Sequence, residues 1–173
     1  GDVREHRRRR APEIAQDAYV HPDAVVIGGV TIGPQSSIWP GAVLRGDHSW
    51  IRVGARTSIQ DGTIVHVGPE LPTIVGDDCV VGHNAYLEGC VVEDRVLVGS
   101  MSVLLHNVVA RSRRVIGAGA VVQNGTEIPS AAMALGVPAK IRLDAANGDY
   151  VTSGAAWYVD NAARYRAELR RIG

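Results

Sequence analysis

The sequence predicts an all-β solenoid of short, three-sided coils ending in one α-helix, and three observations predict it. Aliphatic residues recur every six positions over long stretches: Val26, Ile32, Ile38 and Leu44; Val53, Ile59 and Val65; Val75, Val81 and Leu87; then Val98, Leu104, Ala110, Ile116, Val122 and Ile128. Aliphatic–glycine pairs recur alongside them, at Ile27-Gly28, Ile32-Gly33, Val53-Gly54, Val75-Gly76, Val81-Gly82, Val98-Gly99 and Ile116-Gly117. The 173 residues include 20 glycines and no phenylalanine, so the core must be built from small, branched side chains. A period of six fits neither a helix nor a plain alternating strand over this length, and it matches the hexapeptide repeat of a β-helix.

Geometry explains the pattern. Three short flat faces close one coil, so one aliphatic per face points inward and stacks on its equivalent roughly eighteen residues later. Val and Ile suit such a column, whereas a phenylalanine ring would overfill it. The step breaks between Leu44 and Val53, where Arg45-Gly46-Asp47-His48 is inserted, and between Val65 and Val75, where Gly68-Pro69-Glu70-Leu71-Pro72 is inserted. Both are expected to be surface loops, a common location for binding residues in solenoids. Near Glu93 the chain falls one residue short of the step, and the sequence offers no reason.

Past Gly136-Val137-Pro138 the repeat stops and the chain turns rich in Ala, Arg and Glu. Tyr158, Ala162, Tyr165, Leu169 and Ile172 form one apolar helical stripe, with Ser153 the expected N-cap and Trp157 and Tyr158 expected to pack rather than bind. The expected organisation is a basic, flexible arm over 1–13, a β-helix domain over 14–142 and a helical segment over 143–173.

Lys+Arg 18 balance Asp+Glu 18, so no net field favours nucleic acid or an anionic membrane. Lys140 is the sole lysine, and the run Arg7 to Arg10 concentrates arginine in the amino-terminal arm. No stretch is apolar enough to span a membrane, and the amino-terminal stretch lacks the apolar run of a secretory signal. Two cysteines, Cys79 and Cys90, cannot scaffold a fold with disulfides; they read as small core residues of a reduced, cytoplasmic protein.

The chemistry gathers around the interrupted coils. His66 and Glu88 are 22 residues apart. Subtracting about four for the second insertion leaves one coil, so the two should stack on one face. His83, five residues before Glu88, lies most of a face away at about 3.3 Å per residue. A neighbouring copy could supply it, because triangular prisms pack side by side about a threefold axis. Two imidazoles and a carboxylate suit Zn²⁺ with an open position for water, and also resemble the set that non-haem Fe²⁺ takes. Tyr86 and Cys90, flanking Glu88, read as wall or core residues.

Arg45-Gly46-Asp47, then Ile59-Gln60-Asp61 with His66 five residues on, then Gly82-His83 and Leu87-Glu88-Gly89, resemble the ordered motifs of the γ-class carbonic anhydrase family. Gly136-Val137-Pro138-Ala139-Lys140 is similar to the end-of-repeat motif of that family and of hexapeptide acyltransferases. The resemblance covers roughly residues 14 to 142. It implies a left-handed β-helix, a homotrimer, and zinc held across each subunit interface for the reversible hydration of CO2 to bicarbonate. The family's first two metal histidines match His66 and His83, and its third matches Glu88. The resemblance also implies an intersubunit ion pair between Arg45 and Asp61, and a Gln60 that hydrogen-bonds the reacting water. Asp47 matches a further motif position, an interface or supporting contact. The family's proton-transfer glutamate is matched by His48, and Glu70 stands near its other acidic-loop position.

A glutamate at position 88 makes the ligand set formally anionic, which predicts altered or weaker hydration. Two alternatives sit on the same scaffold. One is a diverged biosynthetic enzyme or coenzyme A-dependent acyltransferase with His48 or His106 as general base. The other is a metal-free, non-catalytic trimer that binds small ligands, with Glu88 paired to Arg45 or another arginine.

Overall fold

The computed structural model describes residues 11–143 and 148–172, and the arginine-rich stretch lies outside them. From Glu13 the chain winds as a left-handed β-helix of parallel coils. Its elements in order are β1 (Glu13–Ile14), β2 (Tyr19–Val20), β3 (Val25–Ile32), β4 (Ser37–Ile38), β5 (Val43–Val53), β6 (Ser58–Ile59), β7 (Ile64–His66), β8 (Thr73–Val75) and β9 (Val80–Val81). These are followed by β10 (Tyr86–Glu88), β11 (Val91–Val92), β12 (Val96–Val98), β13 (Val103–Leu104), β14 (Val109–Ala110), β15 (Arg114–Ile116), β16 (Val121–Val122), β17 (Glu127–Ile128) and β18 (Met133–Leu135). An antiparallel return strand, β19 (Lys140–Arg142), and a helix, α1 (Gly148–Glu168), complete the chain.

Three faces result. The first holds the opening halves of β3 and β5, then β7, β10, β13 and β16. The second holds β1, the closing halves of β3 and β5, then β8, β11, β14 and β17. The third runs β2, β4, β6, β9, β12, β15, β18. The six-step aliphatics are the inward columns. Leu44, Val65, Leu87, Leu104 and Val122 stack in register on the first face, and all are fully buried. Val26 is the exception, half-buried near the amino-terminal end. Each such side chain contributes about 1.5–3 kcal/mol by leaving water, which sets the stability of the stack.

The three edges are columns of residues with left-handed backbone. One edge carries Gln35, Arg56, Asp78, Arg95, Arg113 and Ala131; the next carries Gly41, Gly62, Asn84, Met101 and Gly119; the last carries Gly89, Asn107 and Gly125. This common turn makes each corner sharp and aligns the residue before it with its counterparts in adjacent coils.

The two insertions behave differently. The segment 45–48 is not a loop: β5 runs unbroken through it, pairing with β3 up to Gly28↔Gly46 and again from Val30↔Ile51 after a register shift. The glycines permit this, because a Cβ on Gly28 would stand 2.3 Å from the Gly46 carbonyl oxygen. Residues 68–72 do form a tight turn, closed by reciprocal Gly68–Leu71 backbone hydrogen bonds of 3.1 Å. The contraction falls earlier than Glu93, at the corner after Glu88. Leu87 and Val92 are five residues apart, where the next coil takes six from Leu104 to Ala110.

The helix starts earlier than the sequence predicts. Ser153 lies inside α1 rather than capping it, and Leu169 and Ile172 fall beyond its end, exposed. Tyr158, Ala162 and Tyr165 pack against Tyr19 and Trp39, where the rings of Trp39 and Tyr165 meet edge to face at 5.2 Å. The helix runs along β9, β6, β4 and β2 of the third face, and its packed stripe ends at β2, the first coil's strand.

Candidate metal centre

The first face positions His66 and Glu88. They end β7 and β10 and are direct partners in the parallel ladder, so both side chains project outward side by side. Asp47 projects beside them from β5. A carboxylate only accepts hydrogen bonds, so the 3.0 Å contact between His66 Nε2 and Asp47 Oδ1 is an Nε2–H donation. The other ring nitrogen, Nδ1, stands 3.4 Å from Glu88 Oε1. Burial raises the Asp47 carboxyl, but the bonds from His66 and the His48 backbone N–H, with the charge of Arg45, outweigh it and hold the group at about 2. Arg45 pairs with Asp47 in its own chain.

His83 lies on the edge that leads into the same face, stacked one coil above Asp61. Its Nδ1 meets Asp61 Oδ2 at 3.0 Å, which leaves Nε2 available on a side chain that is 51% exposed. Each candidate ligand histidine is thus backed by its own carboxylate, the support that orients most metal-ligating imidazoles. Within one chain His83 does not join the other two, and among the described residues no three His, Cys, Asp or Glu groups of a single chain form a metal cage.

The donors nevertheless fit a divalent ion. The 3.4 Å between His66 Nδ1 and Glu88 Oε1 is close to the ligand–ligand edge of a tetrahedral Zn²⁺ with bonds of about 2.0–2.1 Å, which is about 3.3–3.4 Å. In the neutral imidazole with Nε2 protonated, the ring nitrogen Nδ1 and the carboxylate oxygen are both electron-pair donors that a cation between them would bind.

Glu88 has two more partners. The Tyr86 hydroxyl donates to Oε2, and His106 Nε2 lies 3.3 Å from Oε1. Burial raises the Glu88 carboxyl, but these two hydrogen bonds and the adjacent imidazoles lower it overall. The bond to Glu88 pushes the Tyr86 phenol up to about 12. Sequence reasoning places His106 only in the acyl-transfer alternative and Tyr86 only in the wall. The signal for His106 is the missing residue: with the corner shortened, Glu88 ends a strand and also precedes the left-handed Gly89, as His106 precedes Asn107.

The remaining predicted residues lie nearby with different partners. Gln60 is buried on the third face and hydrogen-bonds Tyr158 of α1. Within the chain Asp61 is engaged by His83, and His48 is exposed on β5. Glu70 is exposed at the 68–72 turn.

Fold and site together define a hexapeptide-repeat solenoid with carboxylate-backed histidines on one edge and one face. The family model for bacterial transferase hexapeptide (six repeats) matches residues 11–46. The chain is 41% identical over 167 residues to gamma carbonic anhydrase 2, mitochondrial, of Arabidopsis thaliana, covering 92% of this chain and 60% of that protein. It is 41% identical over 128 residues to a probable carbonic anhydrase of Methanocaldococcus jannaschii, covering 74% of this chain and 80% of that one. A crystal structure of a hexapeptide transferase family protein from Anaplasma phagocytophilum superposes with a TM-score of 0.85 at 32% identity, covering 89% of this chain and 92% of that chain. This chain belongs to the gamma carbonic anhydrase-like family of hexapeptide-repeat proteins. It spans about three-fifths of the length of the Arabidopsis relative. Among the described residues, no helix is long and apolar enough to cross a membrane.

Proposed function

We propose that the protein is a gamma carbonic anhydrase-like metalloprotein that hydrates CO2 reversibly, at a reduced rate, in sites shared between copies of a homotrimer. His66 and Glu88 of one copy and His83 of a neighbour would hold Zn²⁺, or Fe²⁺ on the same donors. The observation that carries the reading is the pair of carboxylate-backed histidines, Asp47–His66 and Asp61–His83, with Glu88 in register beside the first. An outward apolar row on the same face supports the assembly: Val25, Val43, Ile64, Tyr86, Val103 and Val121 follow one another in register, with Val25 43% exposed. Such a row suits burial against another copy.

A bound divalent ion supplies the Lewis acidity that activates water for attack on CO2. Asp47 and Asp61 keep one nitrogen of each imidazole protonated and the other free to bind. Arg45 holds Asp47 in place for that task. Gln60 would orient the attacking water, and His48 would pass the released proton to solvent. Glu88 adds negative charge where the family has an imidazole, so the site acidifies water less and turnover falls.

Elemental analysis of the purified protein beside Glu88→His and Glu88→Ala tests this. The expected result is divalent metal in the parent, less in Glu88→Ala, and faster CO2 hydration in Glu88→His. A metal-free parent whose Glu88→His variant gains zinc and hydration would mean that Glu88 has switched the chemistry off. Coenzyme A binding by metal-free protein would turn the reading to acyl transfer.

A further inference from the structure

A carboxylate standing where an imidazole would otherwise bind metal brings a problem of its own. It has two equivalent oxygens and a loosely defined terminal torsion, so it can chelate through both or swing away. In this chain both oxygens are already engaged. Tyr86 donates its hydroxyl to Oε2, and His106 Nε2 reaches Oε1, the oxygen that also faces His66.

We propose that His106 is the positioning residue of the site: its Nε2–H pins Oε1 of Glu88 against His66, so that the carboxylate meets a divalent cation through that oxygen alone. The inference rests on the metal reading given above and deepens it.

The backbone is built to bring His106 there. The corner after Glu88 is one residue short, so Gly89 stands opposite His106, the Asn107 N–H donates to the Gly89 carbonyl at 2.8 Å, and the His106 ring comes to lie beside the Glu88 carboxylate. The His106 ring fits beside Leu71 only because the facing corner carries glycine. A Cβ on Gly89, whose φ is +63°, would stand 3.2 Å from His106 Cδ2 and 3.3 Å from Leu71 Cβ. The short corner, Gly89 and His106 therefore serve one end, a carboxylate oriented by a donor from the adjacent coil. Outer contacts of this kind change metal affinity by about 10–100-fold.

The test uses the full chain as His106→Ala and as His106→Gln, which retains an N–H donor but is a poor metal ligand. In metal-stripped, ¹⁵N-histidine-labelled protein, the His66 Nδ1 resonance should shift in His106→Ala and return in His106→Gln, while that of His83 stays still. Co²⁺ affinity, measured against a chelator, should fall about 10–100-fold in His106→Ala and largely recover in His106→Gln. The visible bands of Co²⁺ should report the same loss and recovery of geometry. An unmoved His66 resonance in His106→Ala, or unchanged Co²⁺ affinity in a parent that binds it, would overturn the role of His106 and leave the metal reading standing. Failure of His106→Gln to recover would make His106 a ligand itself and would also overturn positioning. A parent that takes up no Co²⁺ or Zn²⁺ would sink the metal reading, and the resonance arm would still decide whether His106 orients Glu88.

Discussion

Cys79 and Cys90 show how completely single side chains are withdrawn from water along this stack. Both are buried, and desolvation pushes each thiol up to about 12, so the thiolate that reacts with disulfide reagents is scarce. At about pH 8 neither should label in the folded protein and both should label in denaturant. Rapid labelling of native protein would show that the solenoid opens locally. Glu93 makes a different prediction. Its carboxylate accepts from the Arg111 guanidinium and from the Ser112 backbone N–H, and the Arg111 bond leads in holding it below its ordinary 4.5. A depressed carboxylate stabilises the fold at pH values above its ordinary range, and that contribution disappears as pH falls through the lower folded value. Melting temperature followed from about pH 6 to about pH 3 should therefore drop less steeply in Glu93→Gln than in the parent. Equal slopes would mean that the contact contributes nothing to stability.

The element that depends most on a single residue is α1. Trp39 is 4% exposed, its indole N–H reaches the hydroxyls of Ser37 and Ser58, and its ring meets Tyr158 and Tyr165 of the helix. Trp39→Ala should cost about 3–5 kcal/mol in denaturant unfolding, and the helical circular dichroism signal should be lost before that of the sheet. A single transition of unchanged midpoint would show that the helix is held by something else. The stripe from Tyr158 to Tyr165 was legible because helical periodicity survives in sequence. The helix start was not, because Ser153, the capping residue the sequence offers, falls inside α1.

At the scale of the whole molecule, every coil rests on its neighbours and the site is proposed to rest on another copy. His83→Ala and Glu88→Ala each remove a different partner from the shared site, so each should bind metal poorly alone. Co-refolded in equal amounts, they should form mixed trimers in which some interfaces regain both an intact His83 and an intact Glu88, and metal binding should return in part. No recovery in mixtures that sedimentation shows to be trimeric would place the whole site within one chain.

The amino-acid sequence by itself determined the three-sided stack, its inward columns and the alignment of His66 with Glu88, because a strict period of six leaves one way to bury branched aliphatics coil upon coil. It did not determine what those site residues touch. The insertion at 45–48 became strand, bringing Asp47 to His66, and the short corner brought His106 to Glu88. Both outcomes depend on where neighbouring coils place a backbone and leave room for a side chain. Such contacts join residues that the repeat keeps far apart along the chain, and only the assembled stack brings them within reach.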